Sequence, residues 1–172
     1  MDETIGLIYG SDTGMTEGIT HSIVDHWDDV NVEVLEVSQV AKSDIEKYKI
    51  LVFGLSTWYD GDLQSDWEEY FEEFKTIDFI NKKVAVFGLG DQYGYGEYFI
   101  DGVGMLARVV LENGGEIVGK WPIKGYDFAE SKAEIEGQGL FFGLAIDEDN
   151  QPELTQERLS SWLLQVENEL SA

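Results

Sequence analysis

The chain has 172 residues, 43% hydrophobic and 27% charged, which fits one folded domain with a full core and excludes a disordered or fibrous chain. It has no cysteine, so disulfides, thiolate metal sites and cysteine nucleophiles are excluded, and two histidines, His21 and His26, leave little for a zinc site or a histidine triad. With 35 acidic and 11 basic residues the net charge is −24: such a surface repels nucleic acid and anionic lipid and attracts basic protein surfaces, although solubility or a salty cytoplasm accounts for the same total.

The elements alternate along the chain. Thr4–Tyr9 is a short apolar β-rich run closed by Gly10, expected as a buried strand. Met15, Ile19, Ile23 and Trp27 then recur every four residues, one face of a helix. Asn31–Val37 is the second strand. Ile50–Leu55 is the third, apolar without alternation, as expected of a strand covered on both faces. Trp67, Tyr70, Phe71 and Phe74 predict an amphipathic helix over Ser65–Lys75. Val84–Leu89 is the fourth strand, and Val103–Leu111 a helix closed by Asn113-Gly114-Gly115. Glu116–Trp121 is the fifth strand. Pro122–Gly139 is polar and irregular, and Leu140–Ala145 then reads as a further strand, so the segment is an insertion interrupting strand five. Leu159, Trp162, Leu163, Val166 and Leu170 line the last helix, with Thr155 as its N-cap.

This alternation predicts an α/β fold, a parallel sheet with helices on both faces and right-handed crossovers, formed by residues 1–172 as a single domain. No apolar run reaches membrane-span length and no N-terminal signal is present, so a cytoplasmic location is expected.

Three loops carry chemistry. Gly10–Gly18 (GSDTGMTEG) joins the first strand to the first helix. A helix N-terminus offers free N–H groups and the positive end of a dipole, a place for an anion, phosphate above all. The hydroxyls of Ser11, Thr13 and Thr16 can add hydrogen bonds, and Gly10 and Gly14 let the backbone curl closely. No lysine occurs before residue 42, so this is no Walker A loop, and it lacks the GxGxxG of a dinucleotide site. A monophosphate met by neutral donors is the expectation. The other two loops, STWYDG (Ser56–Gly61) and GDQYGYG (Gly90–Gly96), leave the C-terminal ends of strands three and four. In an open α/β sheet, ligands bind outside those ends where strand order reverses. Large aromatics in both loops suggest a flat aromatic ligand held between rings.

In these loops, as SDTGMT, STWYDG and GDQYGY in order, the sequence resembles the flavodoxins. The likeness extends through LQSDWE, GYDF, FFGLAIDEDNQ and LTQERLSSW and covers essentially the whole chain; the insertion in strand five is similar to that of the long-chain group, and GYGEYFIDGVGML is most similar to the second flavodoxin of gammaproteobacteria. The resemblance implies a flavodoxin-like three-layer sandwich around a five-stranded parallel sheet of order 2-1-3-4-5. It also implies a low-potential carrier moving one electron at a time on non-covalently bound FMN, not an enzyme. Carried over, Ser11, Asp12, Thr13, Gly14, Met15 and Thr16 should wrap the FMN phosphate. Ser56, Thr57 and Trp58 should form the phosphate-to-ring loop, with Trp58 on one face of the flavin and Tyr95 on the other. Gly90 and Asp91 should meet the pyrimidine edge, and Gly88, Leu89 and Gly96 belong to the same cofactor loop. The turn Trp58-Tyr59-Asp60-Gly61 should lie beside flavin N5, its Tyr59–Asp60 peptide flipping on reduction towards a type II turn with positive φ at Asp60.

The partners implied are a basic flavodoxin/ferredoxin-NADP reductase as donor and redox-enzyme acceptors, met by transient electrostatic docking. A monomer with no nucleic-acid or membrane partner is expected. A flavin-dependent NAD(P)H oxidoreductase on the same fold is the alternative, but nothing suggests a nicotinamide pocket. A scaffold that has lost its cofactor would not need the hydroxyl loop and aromatic pair. Asp147–Arg158 has a calcium-loop look, yet proline at its sixth position and arginine at its twelfth exclude an EF-hand.

Overall fold

A computed structural model describes residues 2–172. The central sheet starts with β1 (Ile5–Tyr9), buried along its length, which pairs in parallel with β2 (Val32–Glu36) on one side and β3 (Ile50–Trp58) on the other. β3 pairs with β5 (Lys83–Leu89), again in parallel, with Phe53 opposite Val86. Successive residues of β3 enter opposite cores: Leu51, Phe53 and Leu55 one, Ile50 and Val52 the other. That is why its sequence shows no polar alternation.

Two cores of this kind need helices on both faces. α1 (Met15–His26) and α5 (Thr155–Leu170) cover one, bringing Ile19, Ile23, Leu159, Trp162 and Leu163 against Ile5, Leu7 and Val52. α3 (Ser65–Phe74), α4 (Asp101–Glu112) and the short α2 (Lys42–Glu46) cover the other, where Trp67 and Phe74 meet the Phe53 ring edge-on at 5.5 and 5.3 Å. Trp27 is buried at the end of α1, its indole N–H 2.5 Å from Glu167 of α5. α4 ends as its Asn-Gly-Gly implies. Gly114 has φ +90°, its N–H reaches Leu111 O at 3.2 Å, and Gly115 N–H reaches Val110 O at 2.8 Å, the paired bonds of a Schellman closure.

The fifth strand is interrupted, as expected, but divides differently from the sequence reading. β6 (Glu116–Ile117) pairs with the start of β5, and β10 (Leu144–Ile146) with its end. Between them β7 (Trp121–Pro122), β8 (Glu134–Ile135) and β9 (Leu140–Phe141) form a separate antiparallel sheet of order β7-β9-β8. Glu116–Trp121 is therefore not one strand: Gly119, at φ +74°, turns the chain away before Trp121. Leu140–Ala145 is not one strand either, because it changes sheets at Gly143, which packs on the carbonyl of Val86 where no side chain fits. Counting the two pieces as one, the order β2-β1-β3-β5-β10 is the expected 2-1-3-4-5.

Smaller differences have local causes. The sequence reading missed α2 and also β4 (Asp62–Leu63), which folds back antiparallel on the end of β3. Thr155 is the first residue of α5, not a cap; Leu154 precedes it and no side chain caps the helix. Met15, the first residue of α1, is 46% exposed and borders the cavity described below instead of the core. His21 and His26 are exposed. Among the described residues no helix is long and apolar enough to cross a membrane, and no cluster of His, Asp or Glu suits a metal ion. The loops after β1, β3, β5 and β10 all leave the same end of the parallel sheet, at the point where β1 is flanked by β2 and β3.

Candidate functional site

The loop between β1 and α1 is built to leave a helix N-terminus open. Gly14 precedes α1 in the left-handed region at φ +88°, no side chain caps the helix, and nothing lies within 4 Å of where a Cβ would stand. The first-turn N–H groups of α1 are thus free to meet a ligand. Ser11 shapes the loop as well. Its Oγ accepts from Gly14 N–H at 3.0 Å, stapling the turn, and only its proton is free to be donated. Thr16 is buried and Thr13 exposed, both on the cavity described below.

Asp12 raises the question of a carboxylate in an anion loop. Its side chain points to the start of α3: Oδ1 accepts from Ser65 Oγ at 2.6 Å and from buried Gln64 Nε2 at 2.9 Å. Burial disfavours its charge, but these hydrogen bonds outweigh that and hold the carboxyl below its ordinary value. The charge is held against a helix N-terminus, where it is stabilised. Gln64 also accepts from Trp67 N–H at 3.2 Å, so one amide joins the phosphate loop to α3.

The loop after β3 supplies Ser56, Thr57 and Trp58. Thr57 Oγ1 accepts from Gly102 N–H of α4 at 2.9 Å. The buried Trp58 indole N–H faces the Asp12 carboxylate, whose charge it helps to hold, without meeting full hydrogen-bond geometry. In the following turn the positive φ values fall on Tyr59 (+45°) and Gly61 (+91°), and Asp60 is not among the positive-φ residues. Gly61 has no room for a side chain, since a Cβ would lie 2.9 Å from an oxygen of Asp101. Asp101 is itself buried and accepts from Lys132 N–H at 2.8 Å; burial pushes its carboxyl above the ordinary range.

The loop after β5 is knit by Asp91, whose Oδ1 accepts from Tyr93 N–H at 3.1 Å, Gly94 N–H at 2.7 Å and Asn150 Nδ2 at 2.7 Å. Desolvation opposes ionisation, yet these donors hold the Asp91 carboxyl low. Tyr95 is 42% exposed, and Tyr59 meets it edge-on at 6.2 Å while lying 6.4 Å from Trp58.

These loops enclose a cavity of about 410 Å3, lined by Asp12, Thr13, Met15, Thr16, Ser56, Thr57, Trp58, Leu89, Gly90, Asp91 and Tyr95 together with Glu148 and Asp149. That volume is within the range of small-molecule sites, about 300–1,000 Å3. Hydroxyls and a helix end lie on one part of the wall and two large rings on another. The remaining expected residues stand behind or beside it. Ser11 and Gly14 shape the first loop, and Tyr59 borders a second depression with Asp62, Ser65 and Glu68. Asp60 and Gly96 border a third with Tyr93 and Phe128, Gly61 packs on Asp101, and Gly88 is pressed against Val103 inside the core. In the sequence Glu148 and Asp149 read only as part of a calcium-like run and not as cavity residues; the run DEDN directly after an apolar strand is the available signal. Burial first, and then the carboxylates of Asp91, Asp147 and Glu148, raise the Asp149 carboxyl.

A model of one family, described as Flavodoxin, matches residues 7–162. The chain belongs to the flavodoxin family. A flavodoxin of Haemophilus influenzae is 44% identical over 166 residues, 96% of this chain and 95% of that protein. One of Synechocystis is 47% identical over 163 residues, 94% of this chain and 95% of that protein. The crystal structure of Fusobacterium nucleatum flavodoxin bound to flavin mononucleotide has a TM-score of 0.91, with 32% identity, covering 97% of this chain and 98% of that one. Flavodoxins are electron carriers, so this membership places the chain among carriers and not among stand-alone enzymes. The expected flavodoxin-like fold is the one observed.

Proposed function

We propose that residues 1–172 form one FMN-binding domain that receives an electron from a basic flavodoxin/ferredoxin-NADP reductase and passes it to redox-enzyme acceptors in the cytoplasm, as a monomer. The observation that carries this reading is the single cavity in which an uncapped helix N-terminus with Thr13 and Thr16 shares a wall with Trp58 and Tyr95. A flavin mononucleotide needs both: donors without full positive charge for a monophosphate, and aromatic faces for a planar ring. When bound, FMN supplies one-electron redox chemistry.

The chain's own residues do the rest. The first turn of α1 with Thr13 and Thr16 anchors the phosphate end, while Ser11 holds the loop closed behind it. Trp58 and Tyr95 shield the ring from water. Asp91, Glu148 and Asp149 put carboxylates on the wall, so adding negative charge there is opposed, the condition for a low potential. The antiparallel insertion between β6 and β10 supports assignment to the long-chain group, and the Gly94–Leu106 stretch supports the second gammaproteobacterial type.

The test is a titration of apoprotein with FMN and with riboflavin, followed by flavin fluorescence. FMN should bind much the tighter, and the loaded protein should consume NADPH only when a reductase is added. Equal affinity for the two flavins, or NADPH consumption by the protein alone, overturns the reading.

A further inference from the structure

Tyr95 is the ring least held by its own packing, being 42% exposed with one edge contact, so its place at the cavity must be set by its loop. The two residues that bracket it are tied down. On the far side, Gly96 O accepts from Ala129 N–H at 2.8 Å and Glu130 N–H at 3.0 Å, both in the insertion. On the near side stands Gln92, 2% exposed, in the middle of the loop after β5.

Every polar group of Gln92's side chain is engaged. Nε2 donates to Asp147 Oδ2 at 2.6 Å and to Gln151 Oε1 at 3.0 Å, and Oε1 accepts from Asp127 N–H at 2.6 Å. Its backbone N–H adds a bond to Asp147 Oδ2 at 3.1 Å. Asp147 is fully buried just after β10, with Asn150 N–H on its other oxygen at 3.0 Å. Asp127 belongs to the insertion, and Asn150 in turn donates to Asp91. The tyrosine loop, the end of β10 and the insertion thus meet at one amide.

We propose that Gln92 is a positioning residue for the flavin: it fixes the Tyr95 loop against the cavity by joining it to the Asp147 carboxylate and to the Asp127 backbone of the insertion. This rests on the FMN reading above. Only an amide suits the place, because Asp147 offers acceptors alone and the Asp127 N–H a donor alone. A leucine satisfies neither. A glutamate satisfies Asp127 but sets two carboxylates together in a buried site.

The proposal distinguishes ring from phosphate. Loosening the ring side should weaken FMN and riboflavin by the same factor, whereas loss of a phosphate donor should weaken FMN alone. In fluorescence titrations of the apoprotein, Gln92→Leu and Gln92→Glu should each bind both flavins about tenfold more weakly, with the circular dichroism of the wild type. Acidification should recover part of the Gln92→Glu loss of riboflavin binding, because a protonated carboxyl donates to Asp147 Oδ2 while its carbonyl still accepts from Asp127 N–H. In redox titrations of the holoprotein the midpoint of the second couple should rise as the ring becomes better solvated. A threefold change in relative affinity reads as about 28 mV at 59 mV per tenfold for one electron.

If folded Gln92→Leu binds both flavins within twofold of wild type and keeps its potentials, the proposal fails while the FMN reading stands. Should the leucine variant not fold, riboflavin binding by the glutamate variant at neutral and at acid pH decides, and no recovery in acid overturns it. Wild-type protein that takes up neither flavin overturns the FMN reading and this proposal together.

Discussion

Thr13 and Thr16 have hydroxyls on the cavity wall, while the third hydroxyl of the loop, Ser11, accepts from the Gly14 N–H. Residue type and spacing foretold the anion loop, but not this division of labour, which depends on where a curled backbone points each oxygen. The same holds for Asp12, whose carboxylate is claimed by Ser65 and Gln64 some 50 positions later in the chain. Such long-range hydrogen bonds leave no local pattern. The consequence is a graded prediction. Thr13→Ala and Thr16→Ala should each cost about 1–2 kcal/mol of FMN affinity, typical of one hydrogen bond to a charged group, and leave riboflavin binding unchanged. Asp12→Asn should act on α3 instead, lowering apoprotein stability in urea with a smaller effect on FMN. Losses of FMN affinity in which Asp12→Asn exceeds both threonine variants would contradict this placement.

At the level of the elements, periodicity reported what faces a core and was silent on what leaves one. β3 and β5 were legible because both faces are buried, and α3 because its apolar stripe meets Phe53. The split of the fifth strand was not, since β6, β7 and β9 are two residues each and their pairing is decided by turns at Gly119 and Gly143. Two helical glycines show how packing sets the sign of one substitution. Gly18 lies within α1 with open space where an alanine methyl would stand, so Gly18→Ala should stabilise the apoprotein by roughly 0.5–1 kcal/mol through helix propensity alone. Gly104 lies within α4, where a Cβ would collide with the backbone carbonyl of Lys132 in the insertion. Gly104→Ala should therefore destabilise by about 1–3 kcal/mol, the cost of overpacking. Urea denaturation of the two variants checks both signs: a stabilising Gly104→Ala would mean that α4 does not pack on the insertion as described, and a destabilising Gly18→Ala that the open space at α1 is used otherwise.

The molecule as a whole carries a net charge of −24, and the four lysine–carboxylate pairs among the described residues lie at or near the surface, so they offset little of the mutual repulsion. If the charge serves docking, the rate of reduction by a basic reductase should fall steeply between low and high salt in stopped-flow measurements, and a flat profile would assign the charge to solubility. Salt should act on stability in the opposite direction. Repulsion within the folded state is screened as the Debye length shrinks from about 8 Å at 0.15 M to about 3 Å at 1 M. Proton binding points the same way near neutrality. Asp101 and Asp149 have carboxyls raised by burial, so the folded state holds their protons more firmly than the unfolded chain does. Their ionisation costs stability as pH rises through and above the ordinary carboxylate value of about 4, and lowering the pH from 7.5 relieves that cost. Asp12 and Asp91 act in the reverse sense: their lowered carboxyls stabilise the fold above about 4, and that contribution disappears as pH falls through their folded values. Apoprotein stability should thus rise as pH falls from 7.5 towards the carboxylate range and fall once the lowered carboxyls of Asp12 and Asp91 take up protons. Thermal unfolding of the apoprotein, across this pH range and with added sodium chloride at pH 7.5, measures both trends. The midpoint should increase with salt and on mild acidification before falling in stronger acid; a midpoint that falls with both salt and mild acidification would show that attractive pairing, not repulsion, dominates the surface.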